Sequence, residues 1–325
     1  MGVSVVILNY NGWQDTLACV ESVLASAQAP ERVFIIDNAS TNDSLRWFRH
    51  WAAGRLEFLL PELGAPDSCR KPLPLLEIDA DAQAPAPAAA GKLVLVRASA
   101  NRGYAAGNNA GIRLAVHWGA EAVWILNNDV IVDKEALGAM HRRLFSKGKP
   151  GLCGSLIKYA DSATVQCRAG GYANKWTGLS VLDGNGEDIA AARRASPDEV
   201  ERRINFIYGA SVMVSRAFIE QVGLMDERFF LYCEEQDWAY SAGGRFDFAY
   251  APDAVAHHKE GGTTGFSSTK YSSRALWHLT RSRLLLTWKH APAALPTVCL
   301  TLVFAALRMA WRRLLPSRQA ACNRD

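Results

Sequence analysis

Val3-Ser4-Val5-Val6-Ile7-Leu8 runs apolar into Asn9-Tyr10-Asn11-Gly12. A short, continuous apolar run marks a strand buried on both faces, as in a parallel sheet. The pattern then repeats. Trp13, Leu17, Val20 and Leu24 recur at helical spacing, and Arg32-Val33-Phe34-Ile35-Ile36-Asp37 is a second strand ending in an acid. Lys92 to Arg97 reads as a third strand and Tyr104 to Trp118 as a helix. Ala122-Val123-Trp124-Ile125-Leu126 is a fourth strand, running into Asn127-Asn128-Asp129. This alternation predicts an α/β fold with a Rossmann-like, doubly wound, mostly parallel sheet. Ligands bind beyond the carboxyl ends of such strands. Asn9, Asp37, Asn101 and Asp129 all fall there, and polar residues at successive strand ends converge on one crevice.

Pro61 to Gly91 interrupts the pattern. It is rich in Ala and Pro, above all Ala84-Pro85-Ala86-Pro87-Ala88, and reads as a mobile surface insertion. Phe206 to Val214 reads as one strand whose Gly209-Ala210-Ser211 centre lets a ligand approach the backbone. Arg216 to Val222 is a short helix. Farther on, Tyr232-Cys233-Glu234-Glu235-Gln236-Asp237-Trp238 crowds Glu234, Glu235 and Asp237 together. Crowded carboxylates raise one another's pKa, which suits a general base, although a solvated helix face carries the same pattern. His257 and His258 follow; as strand neighbours they face opposite sides, so one of them is structural.

The C-terminal end differs. Leu276 to His290 reads as a basic helix, Ala291 to Leu307 is apolar throughout, and Arg308, Arg312, Arg313 and Arg318 follow. An apolar run of about 17 residues is at the lower limit for a spanning helix. Attachment to a membrane surface therefore ranks ahead of a packed core helix, with a true span third.

Composition narrows the classes further. A 325-residue chain with 49% hydrophobic and 21% charged residues folds, and its net charge of +4 does not demand nucleic acid. No zinc finger, basic repeat or RNA-binding signature is present. Seven scattered cysteines without a C-x-x-C pair favour reduced thiols in a cytosolic setting. The strand signal begins at once, without a basic region or cleavage pattern, so no signal peptide is expected.

Together these motifs resemble the family 2 glycosyltransferases, inverting enzymes of GT-A fold, and within them the bacterial rhamnosyltransferase-like members. The resemblance runs from Val3 to about Pro292, apart from the Ala/Pro insertion. It is carried by Val5 to Gly12, Ile36-Asp37-Asn38-Ala39-Ser40-Thr41-Asn42-Asp43-Ser44, Asn101 to Asn109 and Leu126-Asn127-Asn128-Asp129. Gly209-Ala210, Asp226-Glu227-Arg228-Phe229-Phe230, Glu234-Glu235-Gln236-Asp237 and His257 complete it. Each motif alone is weak, but their order and spacing are specific.

The resemblance implies a catalytic domain over 1–265, with the insertion at 61–91, and a C-terminal helical region over 266–325 associated with membrane. It implies that Asn9, Tyr10 and Asn11 line the nucleotide and that Asp37 bonds its pyrimidine base. Asn101, Gly103 and Asn108 would shape the donor pocket, beside Asn127 and Asn128. Asp129 matches the metal-binding acid of the family's D-x-D element, with Asn127 in place of the first Asp, and His257 aligns with the histidine that completes the shell around Mg²⁺ or Mn²⁺. Glu235 holds the position of the catalytic acid, usually Asp, and Glu234 and Asp237 are its rivals. Arg281 either reaches the diphosphate or belongs to a solvated basic face. The donor would be a dTDP- or UDP-linked sugar, with rhamnose as the sugar the branch suggests. The acceptor would be a glycan or polyprenyl-linked glycan at the inner face of the cytoplasmic membrane. The alternative is a non-catalytic nucleotide-sugar-binding or membrane scaffold protein of the same fold. The Gly-rich, basic N-terminal loop of a nucleotidyltransferase and the Walker A pattern are both missing from the sequence.

Overall fold

The computed structural model describes residues 2–56, 70–82, 91–259 and 272–314. The chain opens with β1 (Val3–Asn9), α1 (Trp13–Leu24), β2 (Arg32–Asp37) and α2 (Ser44–Ala52). β3 (Leu75–Asp79), β4 (Leu93–Arg97), α3 (Tyr104–His117) and β5 (Ala122–Asn127) complete the parallel part. Next come β6 (Val130–Val132), α4 (Ala136–Phe145), β7 (Pro150–Tyr159), β8 (Val165–Arg168), β9 (Gly170–Ala173) and β10 (Ser180–Leu182). Then follow α5 (Ile189–Arg193), α6 (Pro197–Arg203), β11 (Phe206–Ile207), β12 (Ser211–Ser215), α7 (Arg216–Val222) and α8 (Glu234–Ser241). β13 (Asp247–His258) and α9 (Ser273–His290) precede a 3-10 turn at Pro292–Ala294 and α10 (Leu295–Leu314).

The main sheet runs β3-β4-β2-β1-β5-β12-β7-β13-β6. The pairs from β3 through β5 are parallel, as the apolar runs predict. β12 enters antiparallel between β5 and β7, and β8 pairs with the far half of β7. β9, β10 and β11 form a small separate sheet. Period-2 alternation explains the layering. Val5, Ile7 and Trp124 face α1 and α4, while Val6, Val123 and Ile125 face α3. Gly107 lets α3 lie close on the sheet, because a Cβ there would collide with the Leu8 side chain.

Two expectations need correction. The insertion is not all spacer: Leu75–Asp79 is β3, the edge strand, in parallel register with β4. Glu77 on it bonds Arg49 of α2 at 2.8 Å, and Lys71 reaches Glu21 at 2.8 Å. A composition dominated by Ala and Pro masks the five-residue apolar alternation between them; Ala84 to Ala88 lies outside the described residues. Secondly, Phe206 to Val214 is not one strand. It breaks at Tyr208-Gly209-Ala210, where β11 leaves the small sheet and β12 enters the large one.

Candidate active site

The carboxyl ends of β1 and β2 are stitched into a rigid floor. Asn9 and Asp37 are register partners. Asn9 is fully buried and uses its whole hydrogen-bonding capacity. Its Nδ2 donates to Asp37 Oδ1 (2.8 Å) and Ser40 Oγ (2.9 Å), and its Oδ1 accepts from Gly12 N (3.2 Å) and Thr16 Oγ1 (2.8 Å). Asp37 also accepts from Ser40 N. Asn11, at φ 59°, accepts from the backbones of Thr41 and Asn42 and so pins the second loop to the first. Tyr10 between them is half-buried. Asn128 donates to Gly12 O and Thr16 Oγ1, tying β5 into the same floor.

The next wall is the N-terminus of α3. Asn101 Oδ1 accepts from Gly103 N (3.0 Å) and from Asn38 Nδ2 (3.0 Å). Asn38, absent from the predicted set, thus links the β2 loop to α3. Gly103 sits at φ 93°, and a Cβ there would collide with the Phe230 carbonyl. That carbonyl accepts from Tyr104 N at 2.7 Å. The loop before α8 therefore lies directly on the start of α3, at the one place where only glycine fits. Asn108 is buried with its Oδ1 unpartnered. Tyr104 crosses the break between β11 and β12, its hydroxyl donating to Gly209 O (2.7 Å). Burial, then Glu234, Glu235 and Tyr208 nearby, push its phenol well above the usual value.

α8 delivers the acidic cluster. Tyr232 (φ 70°) and Cys233 (φ 66°) are consecutive left-handed residues with side chains. Each such residue costs about 1–2 kcal/mol, and strain of this kind collects at functional sites. The turn puts Glu234 and Glu235 in the first turn of α8. Glu234 is buried with Oε2 unpartnered. Burial, then the Glu235 charge, hold its carboxyl well above the ordinary value. Glu235 is half-buried. Burial pushes it up to about 7, against the pull of its own backbone N–H.

Asp237 is different, and its candidacy as a base does not survive. Its oxygens are committed to Lys289 Nζ (2.9 Å) and His290 Nε2 (2.7 Å) of α9, and it is 2% exposed. Two positions along the helix turn it away from Glu235, and its oxygens face α9. Lys289 also reaches Asp226 (3.0 Å), where Arg228 above all holds the carboxyl far below the usual range despite partial burial. Arg281 donates to the Arg228 carbonyl (2.8 Å), and Ser282 donates to the Leu231 carbonyl (2.9 Å). The Phe230 ring stacks on His278 at 4.7 Å. α9 thus clasps the whole loop from Asp226 to Asp237. Arg281 is spent in part on that clasp.

The histidine assignment also changes. Asp129 Oδ1 lies 3.2 Å from His258 Nε2, whereas His257 turns to Asp133 at 2.8 Å. Alternation along β13 puts the two rings on opposite faces, and sequence does not tell which face is the site. His258 Nδ1 meets Gln166 Oε1 of β8 at 2.7 Å. With Nδ1 turned to that oxygen, Nε2 is the ring nitrogen that faces Asp129. Asn127 Oδ1 is a further buried acceptor without a partner. Among the described residues no cluster of three or more His, Cys, Asp or Glu side chains is gathered for a metal. The set fits a divalent ion that takes few protein ligands and completes its shell with substrate phosphate and water.

Tyr208 joins the two halves. Its ring meets the His258 ring edge-on at 6.3 Å, and it lies within electrostatic reach of Tyr104 beside Glu234 and Glu235. Asn127 N donates to Ala210 O just beyond it. The Tyr208-Gly209 segment thus touches His258 on one side and Tyr104 on the other, through the Tyr208 ring and the Gly209 carbonyl.

The same arrangement of chain recurs in known proteins. PcManGT, a mannosyltransferase from Pyrobaculum calidifontis solved with GDP-Man and Mn²⁺, superposes over 98% of this chain and 77% of its own, with TM-score 0.55 and 15% identity. GalNAc-T7, solved with UDP, GalNAc and Mn²⁺, does so over 86% of this chain and 47% of its own, with TM-score 0.55 and 16% identity. The fold is GT-A. In sequence, the chain is 21% identical over 247 residues to the low-salt glycan biosynthesis hexosyltransferase Agl10 of Haloferax volcanii. The match covers 74% of this chain and 61% of that relative, so the chain spans about three fifths of its length. No protein-family model matches the chain.

Proposed function

We propose that the protein is a glycosyltransferase that moves a sugar from a nucleoside diphosphate to an acceptor hydroxyl, with inversion at the anomeric carbon. One observation carries the reading: on a GT-A sheet, a buried Glu234 and a half-buried Glu235, neither in an ion pair among the described residues, stand on one side of the Tyr208-Gly209 segment and an Asp129–His258 pair on the other. Support comes from the nucleotides and Mn²⁺ bound by the structural neighbours and from the hexosyltransferase relative.

Glu235 is the general base. Its carboxyl titrates near the working pH, so it takes the acceptor proton yet is ionised often enough to act. Glu234 stands beside it, its carboxyl raised by burial and then by the Glu235 charge, and when protonated it donates a hydrogen bond to a sugar or acceptor oxygen. Asp37 and Asn9 form the base end of the nucleotide cradle, and Asn101, Gly103 and Asn108 its wall. Asp129, His258 and the carbonyl of Asn127 would hold Mg²⁺ or Mn²⁺. Such an ion, when bound, stabilises negative charge on the diphosphate leaving group. Rhamnose is the donor sugar that the branch resemblance favours, linked to dTDP or UDP. The acceptor is a glycan or polyprenyl-linked glycan, reached through peripheral contact with the cytoplasmic membrane.

The test is calorimetry with dTDP-rhamnose, UDP-glucose, UDP-galactose, UDP-N-acetylglucosamine and GDP-mannose, each with Mg²⁺ and with Mn²⁺. Metal-dependent binding of one donor is the expected result. A folded protein that binds none of them would sink the proposal.

A further inference from the structure

The large apolar side chains that the described residues expose are confined to two segments, 172–181 and 277–311. The first is the hairpin joining β9 to β10, where Trp176 is 61% and Val181 71% exposed. The second includes α10, whose Leu300, Phe304, Leu307 and Trp311 recur at helical spacing along one stripe. The two segments touch. Gly178 at the hairpin tip faces Val298, at 3.1 Å from where a Cβ would stand, and Val298 is buried by the contact. The hairpin is also rooted beside the acidic cluster: Ala173 O accepts from Tyr240 Oη of α8 at 2.8 Å.

Charge says what covers this face. Ten of the chain's 36 lysines and arginines fall in the last 65 residues, with one of its 32 acidic residues, Asp325. The first 260 residues keep 26 against 31. The molecule is thus an acidic body with a strongly basic end, and the basic end carries the apolar stripe. Tryptophan with arginine at the edge of an apolar surface is the composition of a membrane interface. Among the described residues no helix is long and apolar enough to cross a membrane. A protein copy would require acidic groups opposite; an anionic bilayer supplies them everywhere.

We propose that the β9–β10 hairpin and α10 form one lipid-docking face, which lays the protein in the interface of an anionic bilayer with Trp176 and Leu179 as a contact separate from α10. The hairpin makes the docking directional: two contacts, not one, fix which side of α8 faces the lipid.

The experiment is co-sedimentation of the full chain with vesicles of phosphatidylcholine alone or with phosphatidylglycerol added. Three proteins are compared: the wild type, Trp176→Ser/Leu179→Ser, and Phe304→Ser/Trp311→Ser. Expected are binding to the anionic vesicles, weaker binding to the neutral ones, and a loss of about tenfold or more in partition coefficient for each double variant. Wild-type binding by the hairpin variant overturns the proposal, as does equal binding to neutral vesicles. Brominated phospholipids should quench tryptophan fluorescence in the wild type; no quenching likewise overturns it, whatever the variants do. Light scattering that finds a dimer dissolved by the same substitutions assigns the face to a second copy instead. None of these readouts depends on sugar transfer, so the docking face and the proposed activity fail separately.

Discussion

Asn9 and Glu234 are both buried polar side chains, and the fold treats them in opposite ways. Every donor and acceptor of Asn9 is matched by a neighbour, and the loops it ties together are closed by Asn11, Asn38 and Asn101 in the same manner. Glu234 keeps an oxygen without a partner, and neither it nor Glu235 forms an ion pair among the described residues. A satisfied network rigidifies; an unsatisfied buried carboxylate costs stability and is retained where chemistry needs it. On the proposed reading, the strand ends are thus a finished mould, and the start of α8 is the reactive part set against it.

Breaking the reactive part should give the largest effect. Glu235→Gln is expected to lower kcat by about 10²–10⁴-fold while donor affinity in calorimetry stays within about twofold. Undiminished turnover would leave α8 without a base. Breaking the mould should act on stability instead. Asn9→Ala removes one hydrogen bond each from Thr16, Gly12, Ser40 and Asp37, and urea unfolding should show a loss of about 2–4 kcal/mol. A loss below about 0.5 kcal/mol would mean the network is ornament. The smallest effect sharpens the contrast through pH. The folded state raises the Glu235 pKa from 4.5 to about 7, so the folded protein binds the proton more tightly than the unfolded one. Stability from this group is present below about pH 4.5 and is lost as pH rises through about 7. After discounting for partial exposure, Glu235→Gln should gain about 1–2 kcal/mol on the wild type between pH 5 and pH 8. Parallel stability curves would show that burial does not act on Glu235 as described.

The mould was legible in the sequence because its information is local. Strands β1, β2, β4 and β5 announce themselves as apolar runs, and the polar residues that close them follow within a few positions. What escaped is what the chain brings together from afar. Alternation separates His257 from His258, but only the pairing of β13 with β6 and β7 decides that His258 faces Asp129. Asp237 stands among carboxylates in sequence and becomes an ion-pair partner only because α9 folds back onto it. Tyr208 comes to stand beside His258 at the break between β11 and β12, which a continuous apolar stretch conceals.

The meeting of Gly103 with Phe230 also sets an order in time. A ribosome makes chain at about 5–20 residues per second, N-terminus first, so β1 through β5 emerge seconds before the helix that carries Lys289 and His290. Before α9 arrives, bonds from α3 hold the loop: Tyr104 N to the Phe230 carbonyl, Asn109 to Met225 and Arg113 to Glu227. On the proposed reading, a nascent chain has the cradle before Asp237 gains Lys289 and His290 as partners. A helix made late is thus the one that completes the clasp on the acidic loop.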